Sequence, residues 1–157
     1  MDLGLKGKIA LVTAASKGIG KAIATGLAAE GCRVAICARN AQGLREAAAE
    51  IKSETGADVL GIKADVTSKK QIESLVQTLR SEYKRIDILV CNAGGPPLGK
   101  FDRLDETDFK WALELNLMST INLCRLVLPG MKKRKWGRII AMTSISAKQP
   151  LDDLMLS

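Results

Sequence analysis

The sequence contains no histidine. Within these 157 residues that excludes Ser-His-Asp and Cys-His nucleophilic arrangements and the usual zinc sites, so chemistry here must use other acids and bases or a cofactor. No metal site is expected. Aromatic residues are only 3% of the chain, too few for base-stacking platforms, although the formal charge is +7. The densest basic run, Lys132-Lys133-Arg134-Lys135, falls at the end of an expected helix, where cations complement the macrodipole. It reads as a solvated helix end, and no nucleic-acid partner is expected. There is no run of roughly 20 apolar residues to span a bilayer. The opening Met1-Asp2-Leu3-Gly4-Leu5-Lys6 also lacks a leader's apolar core. The expectation is a soluble, cytoplasmic protein with no membrane partner. Cys32, Cys37, Cys91 and Cys124 lack C-x-x-C spacing, and three are assigned to strands; they read as buried thiols.

What is present is an alternation. Apolar runs predict strands at Lys8 to Thr13, Arg33 to Ala38, Asp58 to Lys63, Ile86 to Cys91 and Arg138 to Ser144. Between them, Leu44, Ala47, Ala48 and Ile51 follow helical spacing, with Asn40 as N-cap and Gly56 as stop. Ser68 and Gln71 form a capping-box pattern ahead of Ile72, Leu75, Val76 and Leu79. A longer helix is expected from about Thr107 into the Lys132 region, kinked or ended by Pro129. Strand-helix alternation specifies a parallel sheet, and right-handed crossovers suggest the order 3-2-1-4-5. The predicted fold is one α/β domain over residues 1–157, a Rossmann-type doubly wound parallel sheet. Its ligand site would lie at the switch point between the first and fourth strands.

The run Thr13-Ala14-Ala15-Ser16-Lys17-Gly18-Ile19-Gly20 stands directly after the first strand. It has the composition of a phosphate-binding turn: small residues let the backbone turn, and a helix starting near Ile19 presents free N–H groups to an anion. Gly18 supplies positive φ, and Gly20 lets the helix approach its strand. The spacing is not G-x-G-x-x-G. It resembles the T-G-x-x-x-G-x-G turn of the short-chain dehydrogenase/reductase family, with Ala14 at the first glycine, a mild substitution where the local φ is negative. Asp65-Val66 after the third strand, Asn92-Ala93-Gly94 at the end of the fourth, Asn116 in the long helix and Thr143-Ser144 ending the fifth match the same pattern in order.

The resemblance implies a nicotinamide cofactor held by Thr13, Ala14, Ser16, Lys17, Gly18, Ile19, Gly20, Arg39, Asp65, Val66, Asn92, Ala93 and Gly94. Asp65 would accept from the adenine amino group. Two residues take catalytic roles by the same resemblance: Ser144 polarises a substrate carbonyl, and Asn116, a buried amide, supports a water-linked proton path and a local helix distortion. The substrate would be a small carbonyl or alcohol compound, with 3-oxoacyl carrier-protein reductase-like members as one subtype, and the intact family member a homo-oligomer. An NAD-selective site places an acid at the end of the second strand. Here Cys37-Ala38-Arg39-Asn40 has none, and Arg39 and Lys17 are available for a 2′-phosphate, so NADP(H) is expected over NAD(H).

The resemblance covers the first part of the family's typical domain, so the sheet is expected to be incomplete on its C-terminal side. It also implies a Y-x-x-x-K pair after the active-site serine. The one tyrosine, Tyr83, precedes the fourth strand, and the family's interval of 13 residues onward from Ser144 reaches Ser157. Either an insertion places a tyrosine further on, or serine replaces it. Positioned acid/base catalysis is worth about 10² to 10⁴ in rate. Asp152 and Asp153 read as loop or cap residues. A non-catalytic nucleotide-binding or assembly protein is the alternative reading.

Overall fold

The computed structural model describes residues 3–149 and 151–157; Met1 and Asp2, which open the segment tested above for a leader, and Pro150 lie outside it. Five strands form one parallel sheet: β1 (Ile9–Val12), β2 (Arg33–Ala38), β3 (Val59–Lys63), β4 (Ile88–Cys91) and β5 (Arg138–Ala141). Their order is β3-β2-β1-β4-β5, with Leu11 opposite both Ala35 and Leu89. The predicted α/β doubly wound arrangement is the observed one.

Helices cover both faces, so the central strands bury both sets of alternating side chains. Ala10, Val12, Val34, Ile36 and Val90 face α1 (Gly18–Ala29) and α2 (Ala41–Thr55). Leu11, Ala35, Cys37, Leu89 and Cys91 face α3 (Lys69–Tyr83) and α5 (Ser119–Arg134). Asn40 caps α2 by accepting from Gly43 N–H at 2.8 Å, and Gly56 ends it at φ 69°. Both are as the composition suggests.

Four local expectations change. Ser68 accepts from Gln71 N–H at 3.4 Å, but the Gln71 side chain does not return to Ser68; it accepts from Asp65 N–H at 2.9 Å. Half the capping box is therefore spent on the loop after β3. The fifth strand stops at Ala141 instead of Ser144. Its partner β4 ends at Cys91, whose carbonyl takes Met142 N–H as the last rung, and Ser144 then caps a 3₁₀ turn over Ile145–Ala147. The long helix is broken into α4 (Glu106–Leu113), a π-turn (Glu114–Met118) and α5. Pro129 does not end α5, because the buried stripe Leu123, Val127 and Met131 carries the helix on to Arg134. Of the cysteines, Cys37 and Cys91 lie in strands, while Cys32 sits one residue before β2 and Cys124 on α5; all four are free.

The π-turn has a chemical cause. Ser119 donates its hydroxyl to the Leu115 carbonyl, and Thr120 donates to that of Asn116 at 3.4 Å. Such side-chain competition loosens the i to i−4 ladder, and Ser119 N–H bonds to Glu114 five residues back.

At the amino-terminal ends of the strands lies a buried acid that the sequence did not flag. Asp87 accepts from Ile9 N–H at 3.1 Å and from Arg85 at 2.9 Å, and pairs with Arg134 at 3.5 Å.

Candidate functional site

At the opposite, carboxyl ends of the strands, the switch point opens into a cleft of about 460 Å³. It is lined by the turn after β1 (Ala14, Ser16, Lys17, Gly18, Ile19, Gly20), the end of β2 (Ala38, Arg39, Asn40), the loop after β3 (Ala64, Asp65, Val66), the loop after β4 (Asn92, Ala93, Gly94) and Leu115 of the π-turn. Four separate loops meet here because parallel strands point their carboxyl ends the same way.

The turn after β1 is held by interlocking polar contacts. Thr13 is buried and does not line the cleft. Its hydroxyl donates to the Asn92 carbonyl at 2.6 Å and accepts from Asn92 N–H at 2.9 Å, clamping β1 to β4. The hydroxyl thus makes a structural link between neighbouring strands, which uses its single donor. Asn92 then donates its amide to the carbonyls of Thr13 and Ala14, both at 3.2 Å. Gly20 makes room for this. A Cβ there would stand 2.6 Å from the Ala14 carbonyl oxygen and 2.7 Å from the Asn92 amide nitrogen.

Ala14 departs from the sequence expectation. Its φ is +48°, the left-handed region, where a methyl-bearing residue is strained. The conformation is imposed from both sides: the Asn92 amide holds its carbonyl, and the next N–H, of Ala15, donates to Cys37 at 3.0 Å. Gly18 is at φ +59°, as a glycine there permits. Lys17 stands at the N-cap of α1 in extended conformation without a side-chain cap, so the helix offers its first N–H groups to the cleft. Below the turn, burial pushes the Cys37 thiol up to about 12, which keeps it neutral.

Arg39 and Lys17 are both exposed on the cleft's rim, and the end of β2 carries no carboxylate. Asp65 lies across from them; one of its carboxylate oxygens accepts from Thr67 N–H at 2.9 Å and from the Thr67 hydroxyl at 2.8 Å. Gly94 faces open space.

The two residues given catalytic roles sit apart from this lining. Asn116, in the π-turn, is exposed and not buried as expected; its amide donates to the Leu156 carbonyl at 3.3 Å. Ser144 donates to the Ser146 hydroxyl at 2.9 Å and accepts from Ser146 N–H at 3.1 Å. Asp153 is a loop residue, with its carbonyl accepting from Gly99 N–H at 2.8 Å. Tyr83 is buried at the end of α3 beneath the Arg33 guanidinium. The lining residues not singled out as ligands were Ala38, Asn40, Ala64 and Leu115. Ala38 ends β2, and Asn40 and Ala64 lie just past the ends of β2 and β3, so these three follow from topology; Leu115 depends on the π-turn, for which no spacing signal exists.

A family model described as short chain dehydrogenase matches residues 8–155. The 3-oxoacyl-[acyl-carrier-protein] reductase of Escherichia coli is 38% identical over 143 residues, covering 91% of this chain and 57% of the relative. The 7alpha-hydroxysteroid dehydrogenase of the same organism is 37% identical over 147 residues, with 94% and 57% covered. Among solved structures, L-sorbose reductase from Gluconobacter frateurii complexed with NADPH and L-sorbose superposes with TM-score 0.95 at 37% identity, over 99% of this chain and 59% of that one. The chain thus spans a little under three fifths of the length of the relatives it matches.

Proposed function

The chain belongs to the short-chain dehydrogenase family, and on that premise we propose that its cleft binds NADP(H) and serves hydride transfer between that cofactor and a carbonyl or alcohol substrate. The observation that carries this reading is the cleft itself. An uncapped helix N-terminus faces it, Gly20 leaves space where a Cβ would collide, and Arg39 and Lys17 stand where an NAD-selective site would place an acid. The residues fit a dinucleotide. The N–H groups at the start of α1, with Ser16 and Gly18 in the turn, would hold its diphosphate, Arg39 and Lys17 its 2′-phosphate, and Asp65 and Val66 its adenine. Asn92, Ala93 and Gly94 would form the floor beneath the nicotinamide end. When bound, NADP(H) supplies the hydride chemistry, and the protein supplies orientation and electrostatics.

Ser144, on the loop beyond β5, is assigned to the substrate oxygen: its hydroxyl proton exchanges the Ser146 oxygen for the carbonyl. Asn116 is assigned a supporting place on the proton route, holding the backbone at Leu156 and keeping the π-turn open. A 3-oxoacyl thioester, the substrate in the name of the E. coli relative, is one carbonyl compound of the proposed kind.

Titration of the folded chain with NADPH and NADH tests the cofactor assignment. NADPH is expected to bind more tightly, and Arg39→Ala to weaken NADPH selectively by about 10- to 150-fold, the worth of one charge-assisted contact. Equal affinities, or tighter NADH, reject it. Ser144→Ala in an active enzyme is expected to lower turnover far more than cofactor affinity.

A further inference from the structure

The loop after β3 is pinned at both ends. Ala64 N–H donates to the Ala38 carbonyl at 3.1 Å, which ties the loop to the end of β2, and Val66 is buried while still lining the cleft. Asp65 stands between them. Its N–H donates to Gln71 Oε1 at 2.9 Å, and its carbonyl accepts from Ser68 N–H at 3.1 Å. Its Oδ1 accepts twice from Thr67, from the N–H at 2.9 Å and from the hydroxyl at 2.8 Å. Only Oδ2 has no hydrogen-bond partner among the described residues. Thr67 and Gln71, the third residue of α3, do not line the cleft themselves. They act on it only through the residue that does.

We infer that Thr67 and Gln71 are positioning residues that make Asp65 a selector for the base: Oδ2 accepts from the exocyclic amino group of adenine and rejects hypoxanthine, which carries a carbonyl at that place. The inference rests on the NADP(H) reading above and deepens it. A carboxylate free to turn could present either oxygen, or swing away and let water meet the carbonyl. Two bonds from Thr67 on one oxygen remove that freedom, and the Gln71 bond holds the backbone from which the side chain springs. The ordering is complete before a ligand arrives, so the amino group gains a ready acceptor. The carbonyl instead meets a fixed anionic oxygen with no proton between them, and discrimination of this kind comes from the unpaired group as much as from the paired one.

Equilibrium binding of NADP⁺ and of nicotinamide hypoxanthine dinucleotide phosphate to the 157-residue chain tests this through the ratio of the two affinities. NADP⁺ is expected to bind about 10-fold more tightly, the worth of one hydrogen bond to a charged acceptor. Thr67→Val keeps the side chain's shape without its hydroxyl, and Gln71→Leu, at an exposed site, removes the backbone's acceptor. Each is expected to lower the ratio to about 3-fold or less, and Thr67→Ser to restore it. In an Asp65→Ala background, Thr67→Val is expected to move the ratio no further, because its effect passes through the carboxylate. A merely structural role would weaken both dinucleotides together and leave the ratio alone. A ratio unchanged in one variant removes that residue's part; a ratio unchanged in both, equal affinities in the parent chain, or an effect of Thr67→Val that persists without Asp65 overturns the inference while the NADP(H) reading stands. Binding of neither dinucleotide overturns both.

Discussion

Strands β2 and β5 begin alike, Arg-Val-Ala-Ile against Arg-Ile-Ile-Ala, yet they occupy opposite surroundings. Every residue of β2 after Arg33 is buried, while all four of β5 are exposed. Strand formation needs a partner with matching register, and β5 has one in β4, from Ile88 opposite Arg138 to Cys91 opposite Ala141. Burial needs neighbours on both sides and both faces, and only β2, between β1 and β3 under α1 and α2, has them. The pattern of a strand therefore reports its pairing; its contribution to stability comes from what covers it.

The contrast predicts the largest difference between two equivalent truncations. Ile36→Ala, at a fully buried site, is expected to cost about 2 to 5 kcal/mol, whereas Ile140→Ala, at 48% exposure, costs below about 1 kcal/mol. Denaturant unfolding of the two variants measures this, and equal losses would erase the distinction between the halves. The seam between them comes next. Thr13→Val keeps the shape of the side chain but strands the N–H and carbonyl of Asn92, at an expected cost of about 1 to 3 kcal/mol. A neutral outcome would mean that strand pairing alone joins β1 to β4. The smallest effect has the opposite sign: Ala14→Gly relieves the left-handed strain and is expected to stabilise by about 1 kcal/mol. An unchanged or lower melting temperature would show that the turn carries no such strain.

Most of the frame was legible because it depends on features with a single physical meaning. Alternating periods of two and near four determine a parallel sheet, handedness sets its order, and Asn40 and Gly56 can cap α2 in only one way. Legibility fails where a residue has several partners to choose from. Gln71 had the Ser68 backbone within reach by pattern, but the loop after β3 took its side chain. Pro129 forfeits one helical donor, and the packed stripe on α5 outweighs that loss. The φ of Ala14 is set by Asn92, 78 residues away, and Asp87 meets Arg134 from across the sheet. In the cleft, the residues at and just after the strand ends followed from topology; Leu115 is set by a π-turn that two hydroxyls create.

The Asp87 cluster has a consequence for how such a protein changes over generations. It joins the start of β1, the approach to β4 and the last turn of α5 at the end of the sheet remote from the cleft. This cluster shares no residue with the ligand-facing loops. Substitutions in the loops beyond β4 and β5 can accumulate while the frame stays closed behind them, which leaves selectivity free to drift at nearly constant fold stability.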